Sequence, residues 1–261
     1  MSTVVFVHGL WLHATSWTAW LEHFTASGHT AQAPGWPGDS PTVAEARANP
    51  DRAAGFGLDD VVRHYGHLVA GTSRPVVAVG HSSGGLVVQR LLARGGADAA
   101  VAISSAPVHG EALLPSSRSV AAPVAPCGRV SFRGSVTLTP HEFATGLGNT
   151  LPAEECADLY ERWTVPAPGR ILLEDAANLR AGSPTAIDVD VDRGPLLLIT
   201  GGMDRAVPPA QARTVHELCS RNPRVVTDLI ELSDRGHTLT VDHGWSEVAD
   251  VALSWMKHNG L

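Results

Sequence analysis

The stretch that decides the fold reads Val76-Val77-Ala78-Val79-Gly80-His81-Ser82-Ser83-Gly84-Gly85-Leu86-Val87-Val88-Gln89-Arg90-Leu91-Leu92-Ala93-Arg94. Its apolar start predicts a buried strand, and its amphipathic end, from Gly84 to Arg94, predicts a helix. Between them lies a G-x-S-x-G turn, whose two glycines lack the Cβ atoms that would clash in so sharp a reversal. Such a turn holds the central serine in a strained conformation with its hydroxyl at a helix N-terminus. We therefore predict that Ser82 is a catalytic nucleophile.

Outward from this stretch, short apolar runs alternate with longer amphipathic segments. The alternation is typical of βαβ units, in which right-handed crossover helices join parallel strands into a doubly wound sheet. The predicted strands, of which the last is the weakest, are Thr3–Val7, Val76–Val79, Ala99–Ile103, Leu196–Thr200, Val225–Ile230 and His29–Ala33. The predicted helices are Ser16–Ser27, Leu58–Gly71, Gly84–Arg94, Pro208–Ser220 and Gly244–His258.

One long interval, from Pro107 to Gly194, contains no convincing core strand. A structureless loop of that length is implausible in a compact domain, so we predict a helical cap over residues 107–193. The core then comprises residues 1–106 and 194–261. The helix-like pieces of the cap are Pro140–Leu147, Ala153–Trp163 and Gly169–Arg180. Apolar side chains there predict a hydrophobic substrate pocket, with Trp11, Phe143, Leu147 and Trp163 as candidate lining residues.

The overall composition limits the classes of partner. Nineteen Lys and Arg against 26 Asp and Glu give a net charge of −7, which argues against nucleic acid or an anionic membrane. Lys257 is the single lysine, so a phosphate-binding loop of the Walker type is excluded. No targeting segment is evident, and three widely spaced cysteines suit reduced thiols. We expect a cytoplasmic bacterial protein, a monomer or homodimer, without metal or cofactor.

A serine hydroxyl is a weak nucleophile and needs a base oriented by a carboxylate. Among the 13 histidines, His237 follows the last predicted strand, at the sheet end where ligands bind. Asp204 directly follows the strand Leu196–Thr200, which makes it the preferred acid. Asp234 and Asp242 are alternatives, although each lies too close to His237 in sequence to occupy a separate strand end.

A tetrahedral oxyanion needs two positioned N–H donors. One is predicted at Ser83, the residue after the nucleophile, and the other in the loop after Thr3–Val7. Leu10 is the preferred second donor and Trp11 the alternative. His8, in the same loop, is interpreted as a structural hydrogen-bonding residue rather than a base.

Four segments together resemble the α/β-hydrolase superfamily, in particular its esterase- and lipase-like serine hydrolases with a helical cap. They are Val7-His8-Gly9, Gly80-His81-Ser82-Ser83-Gly84-Gly85, Leu198-Ile199-Thr200-Gly201-Gly202-Met203-Asp204 and Asp234-Arg235-Gly236-His237. The resemblance spans the chain from Thr3 to about Trp255 and implies the order Ser82, Asp204, His237 for the triad. The His-Gly pair falls so early that the first two strands of the family's eight-stranded sheet are missing. That departure predicts about six strands, all parallel.

The resemblance implies a serine hydrolase that cleaves small to medium, apolar carboxylic esters through an acyl-enzyme. Lactonases, carbon–carbon bond hydrolases, perhydrolases and hydroxynitrile lyases share this triad and stay open as alternatives. A different class is also open: a small-molecule receptor, or an accessory protein that shapes a reactive intermediate without hydrolysis. Turnover of an ester that depends on Ser82 separates the hydrolase from both of these.

Overall fold

The computed structural model describes residues 1–108, 130–176 and 183–261. Eight strands lie within those ranges: β1 Thr3–Val7, β2 Thr30–Gln32, β3 Val76–His81, β4 Ala99–Ile103, β5 Ser135–Val136, β6 Ala167–Pro168, β7 Leu196–Gly201 and β8 Thr227–Leu232. Six of them form one sheet in the order β2-β1-β3-β4-β7-β8, and every neighbouring pair is parallel. The predicted parallel sheet of about six strands is confirmed.

Nine α-helices lie in the described ranges, together with a 3₁₀ turn at Ala14–Trp17. They are α1 Thr18–Ala26, α2 Val43–Ala48, α3 Leu58–Ala70, α4 Ser83–Ala93, α5 Pro140–Gly146, α6 Ala153–Trp163, α7 Gly169–Ala176, α8 Pro209–Cys219 and α9 Trp245–His258. All five predicted core helices are present within one or two residues of their predicted ends, and only their terminal turns differ.

The central strands are apolar throughout because helices cover both faces of the sheet. Along β1, Val4 and Phe6 point into one apolar cluster, to which α1 and α9 also contribute. Val5 and Val7 point into a second cluster on the opposite face, built with side chains of α3, α4 and α8. The alternation along a single strand shows that the core has two layers, one on each side of the sheet.

The last strand along the chain and one short helix differ most from the sequence-based expectation. The last strand was expected at Val225–Ile230, but Val225 still belongs to a turn, since its N–H donates to the carbonyl of Asn222. The ladder with β7 begins two residues later, at Thr227, and runs to Leu232. Helix α2 was not predicted because none of its residues is buried, so it has no apolar stripe. Its N-terminus does have a residue type that favours helix starts, because Thr42 is the N-cap and its side chain accepts the N–H of Glu45.

Between β4 and β7 the described part of the chain contains α5, α6, α7 and the antiparallel pair β5–β6. The predicted pieces Pro140–Leu147 and Ala153–Trp163 correspond to α5 and α6, whereas residues 177–180 of the third piece lie outside the described ranges. These elements are tied to the loop after β1. The Trp11 carbonyl accepts from Val165 N–H at 2.9 Å, and the Trp163 carbonyl accepts from His13 N–H at 3.0 Å.

Candidate active site

Ser82 stands between the end of β3 and the start of α4, with φ 54° and ψ −123°. Three glycines near this turn have no room for a Cβ atom. A Cβ on Gly80 would lie 2.2 Å from the Gly84 carbonyl oxygen, and one on Gly84 would lie 2.2 Å from the Val7 carbonyl oxygen. A Cβ on Gly9 would lie 2.7 Å from the Ser82 Cβ. The glycines therefore allow the loop after β1, the turn and the helix start to touch.

His237 and Asp204 form a buried pair. His237 Nδ1 lies 2.8 Å from Asp204 Oδ2, and both side chains are almost inaccessible to solvent. The other carboxylate oxygen, Oδ1, accepts the N–H groups of Ala206 and Val207, each at 2.8 Å. Since Asp204 is an acceptor in all three contacts, the imidazole carries its proton on Nδ1 and leaves Nε2 free to act as a base.

His81, the residue before Ser82, supports the loop that carries His237. Its Nε2 donates to the His237 carbonyl at 2.8 Å, and the two rings lie 4.7 Å apart between centroids. Burial, together with the neighbouring His237, lowers the pKa of His81 well below its ordinary value. His81 is thus a neutral ring that links the serine turn to the candidate base. No local sequence pattern indicates this contact, because it joins residues 156 positions apart.

The structure places the two alternative acids away from the His237 ring nitrogen that Asp204 binds. Asp242 Oδ1 contacts Arg235 Nη1 at 3.1 Å and accepts the N–H of Gly244. Asp234 is 84% exposed and lies 4.0 Å from Arg235 Nε. Both carboxylates therefore pair with Arg235, and Asp204 is the one that the fold brings to His237.

The loop expected to supply an oxyanion donor lies against the serine turn through Gly9, and Leu10 and Trp11 follow it in the chain. Trp11 has a positive φ of 63°, and its indole N–H donates to the Val136 carbonyl at 3.0 Å. His8 lies below the loop, where its Nε2 contacts Asp39 Oδ2 at 2.9 Å and its ring stacks on Trp36. These contacts suit the structural interpretation of His8.

Burial acts to raise the pKa of Asp39, but the facing His8 and the N–H of Trp36 outweigh it, so that the pKa is lowered overall. A carboxylate at Asp39 is consequently favoured, and it anchors both His8 and the turn at Trp36.

The candidate pocket residues belong to one apolar cluster, which includes residues of the segment between β4 and β7 and residues of the sheet and its helices. Leu10, Trp11, Phe143 and Leu147 are buried in it, and Trp163 packs against its edge. Phe143 is fully buried, with its ring edge-on to Tyr160 at 5.7 Å. The Trp163 ring lies under the Arg162 guanidinium at 4.4 Å. Phe143 therefore packs α5 against α6, whatever it contributes to a pocket.

One polar contact near the serine turn was missed by sequence reasoning. The Ser83 side chain lies close to the carboxyl of Asp175, on α7. Burial and the charge of Glu174 raise the pKa of that carboxyl to about 7, although Ser83 acts to lower it. No local pattern indicates this contact. Because α7 is amphipathic, its sequence predicts that Asp175 lies on the solvent-facing side of the helix. Only the packing of the cap on the core brings the two residues together.

Metal binding and membrane insertion would each require a recognisable feature within residues 1–108, 130–176 and 183–261. Within those ranges, no three or more His, Cys, Asp and Glu side chains are grouped as a metal site would require. No helix in the same ranges is long and apolar enough to cross a membrane.

Comparison with known proteins gives a family and a set of similar folds. The sequence matches the alpha/beta hydrolase family over residues 4–251. None of the curated protein sequences matches the chain. A monoacylglycerol lipase of Paleococcus ferrophilus is similar in structure, with a TM-score of 0.69 and 18% identity, over 98% of this chain and 94% of that one.

Two further solved structures have comparable similarity. A methylesterase from Arabidopsis has a TM-score of 0.68 and 18% identity, over 99% of this chain and 100% of that one. An extracellular alpha/beta-hydrolase from a Paenibacillus species has a TM-score of 0.69 and 17% identity, over 97% and 98% of the two chains. At these identities the similarity concerns the fold. Together with the match over nearly the whole sequence, it establishes that this chain belongs to the alpha/beta hydrolase family.

Proposed function

We propose that this protein is a serine hydrolase that cleaves small to medium, apolar carboxylic esters through an acyl-enzyme on Ser82. The observation that carries the proposal is the buried His237–Asp204 pair, which His81 links to the serine turn. A strained serine at a helix N-terminus, a base with one free ring nitrogen and an orienting carboxylate are the parts that acyl transfer requires.

In the proposed reaction, Ser82 Oγ attacks the ester carbonyl carbon while His237 Nε2 takes the hydroxyl proton. The N–H groups of Leu10 and Ser83 stabilise the negative charge on the carbonyl oxygen. As the carbon–oxygen bond breaks, His237 passes its proton to the leaving alkoxide, which departs as the alcohol. A water molecule then gives a proton to His237 and attacks the acyl carbon. The bond between that carbon and Ser82 Oγ breaks, His237 returns its proton to Oγ, and the acid is released.

Asp204 holds the His237 ring in the required tautomer and stabilises the imidazolium that forms in each half of the reaction. Its Oδ1 is already satisfied by two backbone N–H groups, so that the carboxylate is fixed before substrate arrives. The apolar cluster around Leu10, Trp11 and Leu147 favours substrates without charge.

The test is hydrolysis of p-nitrophenyl esters, from acetate to long acyl chains, by the wild type and by Ser82→Ala. We expect turnover by the wild type, an optimum at short or medium chains, and loss of about 10⁵–10⁶-fold in the variant. Turnover that persists in Ser82→Ala would contradict the proposal. A folded wild type that turns over no ester, yet binds a small molecule, would favour the receptor or lyase alternative instead.

A further inference from the structure

The turn between α5 and α6 contacts the loop that carries Asp204. Asn149 Nδ2 donates to the Met203 carbonyl at 3.0 Å, and Met203 directly precedes Asp204. The Met203 carbonyl and the Asp204 N–H belong to one planar peptide unit. Since that N–H donates to the Gly201 carbonyl at 3.2 Å, the unit is bound on both of its sides. The Asn149 amide therefore helps to fix the direction in which the Asp204 side chain leaves the backbone.

The next residue of the same turn lies against the loop that carries His237. A Cβ on Gly236, which directly precedes His237, would lie 2.5 Å from Thr150 Oγ1 and 3.1 Å from its Cγ2. The two loops also bind each other, because the Met203 N–H donates to the Arg235 carbonyl at 2.9 Å. Two neighbouring residues of one turn thus contact the backbone directly before the proposed acid and directly before the proposed base.

The turn does not need the Asn149 side chain for its own closure. Backbone hydrogen bonds close it, from the Gly148 N–H to the Phe143 carbonyl at 2.9 Å and from the Leu151 N–H to the Gly148 carbonyl at 3.0 Å. A side chain that the turn does not use is therefore directed at the loop before Asp204.

Helix α6 has a separate contact on the far side of His237. Glu155, in the first turn of α6, accepts the N–H of His243 at 2.7 Å, and its Oε2 lies 3.0 Å from His243 Nδ1. This contact does not involve Asn149. We therefore expect a variant without the Asn149 amide to fold, and to differ from the wild type at the Met203 carbonyl.

We propose that Asn149 is a positioning residue that, through the Met203 carbonyl, holds Asp204 in line with the base. The contact between His237 Nδ1 and Asp204 Oδ2 is 2.8 Å long, and hydrogen bonds weaken steeply as their geometry is distorted. Backbone N–H groups of residues 206 and 207 bind the carboxylate from its C-terminal side, and Asn149 acts from its N-terminal side. This inference rests on the proposed function, because it concerns the acid and base of that reaction.

The first experiment measures hydrolysis of p-nitrophenyl butyrate by the wild type, Asn149→Leu and Asn149→Gln. Leucine has nearly the shape of asparagine but no donor, whereas glutamine keeps the amide. We expect Asn149→Leu to lower kcat by about 10- to 100-fold, as a displacement of about 1 Å allows. KM should stay within about twofold, because Asn149 contacts the loop of the acid. Asn149→Gln should exceed Asn149→Leu in kcat by about 2- to 10-fold, as one neutral hydrogen bond allows.

Proton NMR separates positioning from a general loss of stability. The His237 Nδ1 proton, which Asp204 accepts across 2.8 Å, is expected far downfield of the backbone amides. Its absence from Asp204→Asn identifies the signal. In Asn149→Leu the signal should move upfield or broaden, at a temperature where thermal unfolding shows the variant to be folded. In Asn149→Gln it should lie closer to its wild-type position. Should Asn149→Leu not fold, Asn149→Ala carries the same expectation.

Asn222→Leu is the matched control. Asn222 Nδ2 also donates to a backbone carbonyl, that of Asp190 at 3.1 Å, but these residues precede β8 and β7 and lie at the opposite edge of the sheet. Its replacement is expected to lower stability and to leave both kcat and the downfield signal unchanged.

Two results would overturn the role of Asn149 and leave the proposed function intact. One is a wild-type kcat in folded Asn149→Leu, and the other is a reduced kcat with an unchanged downfield signal. Failure of the folded wild type to hydrolyse any p-nitrophenyl ester, with Ser82 never acylated, would overturn the proposed function and this inference with it.

Discussion

The backbone of Ser82 lies in a region that a non-glycine residue rarely occupies, and its neighbours keep it there. Its carbonyl oxygen accepts the N–H groups of Gly85 and Ala106, each at 2.9 Å. Its own N–H donates to the Ile103 carbonyl at 2.9 Å. Hydrogen bonds on both sides of the residue therefore hold the unusual φ, and the surrounding fold offsets the cost of the strain.

Gly84, the last glycine of the G-x-S-x-G turn, allows a direct test of the close contact between this turn and the end of β1. Because a Cβ on Gly84 would overlap the Val7 carbonyl oxygen, we expect Gly84→Ala to reduce the free energy of unfolding by at least about 2 kcal/mol. Gly66, inside α3, is the matched control, since its Cβ would lie 3.9 Å from the nearest atom. Gly66→Ala should raise stability by about 0.5–1 kcal/mol. Denaturant unfolding that ranks the two variants in the opposite order would contradict this packing.

The assignment of the acid separates Asp204 from its alternatives. Asp204→Asn replaces the acceptor of the His237 Nδ1–H, so the ring loses the tautomer that leaves Nε2 basic. We expect kcat to fall by about 10³–10⁴-fold without loss of fold. Asp234→Asn, at an exposed carboxylate, should stay within about twofold of the wild type. Equal losses in the two variants, measured on one ester, would be incompatible with Asp204 as the orienting acid.

Asp175 gives stability a distinct dependence on pH. Its ordinary pKa of 3.8 is raised to about 7 in the folded protein, so between these values the unfolded chain has lost a proton that the folded chain keeps. The stability that this proton contributes is complete below pH 4 and is lost as the pH rises to 7. Asp175→Asn should abolish this pH-dependent loss of stability. At pH 8 we expect its free energy of unfolding to exceed that of the wild type by about 1–2 kcal/mol, a figure reduced for the partial solvent access of the residue.

Thermal unfolding of both proteins from pH 4 to pH 8 measures this difference. The charged and polar groups that face the Asp175 carboxyl, Glu174 and Ser83, are the same in the two proteins. A difference in melting temperature that does not grow with pH would rule out a raised pKa at Asp175.

At the scale of elements, α2, a short helix without buried residues, contacts the C-terminal end of α6. Arg47, on α2, donates to the carbonyls of Tyr160, Glu161 and Thr164, at the C-terminus of α6, over 2.8–2.9 Å. The last carbonyls of a helix lack the next turn of N–H donors, and a cation at a helix C-terminus is electrostatically favourable. The Tyr160 carbonyl also accepts the N–H of Thr164 at 3.1 Å. A short polar helix thus serves as a support for α6.

Removal of this support should loosen one end of α6. We expect Arg47→Ala to lower stability by about 1–2 kcal/mol and to speed hydrogen exchange in residues 160–165. Arg63→Ala is the control, because Arg63 forms an exposed pair with Asp60 inside α3. Unchanged exchange at the end of α6 in Arg47→Ala would contradict the proposed support. Arg47→Lys should restore little, since one ammonium group does not reproduce the fork of the guanidinium.

At the scale of the whole molecule, the sequence predicted the sheet because its strands are buried on both faces. Runs such as Ala99–Ile103 are continuous and apolar, and the observed strand has the same bounds. The predicted ends of the strands also indicated that Asp204 and His237 lie near each other, because residues that follow parallel strands meet at one edge of the sheet. These features follow from local pattern and from chain order.

Contacts between cap and core were not predictable in the same way. The Asp175–Ser83 contact depends on how α7 is rotated and how far it reaches over α4, which no periodicity encodes. The same holds for Arg47, whose partners lie more than 110 residues away. The family could therefore be predicted from the sequence, whereas these contacts between distant elements could not.

The central claim is that Ser82 is the nucleophile, and covalent labelling by a fluorophosphonate probe tests it most directly. Intact-mass analysis should give one adduct per wild-type chain, and peptide mapping should place it on Ser82. Ser83→Ala, which removes the neighbouring hydroxyl, should label as well, whereas Ser82→Ala should not label at all. An adduct on Ser83, or a folded wild type that takes up no probe, would contradict the account.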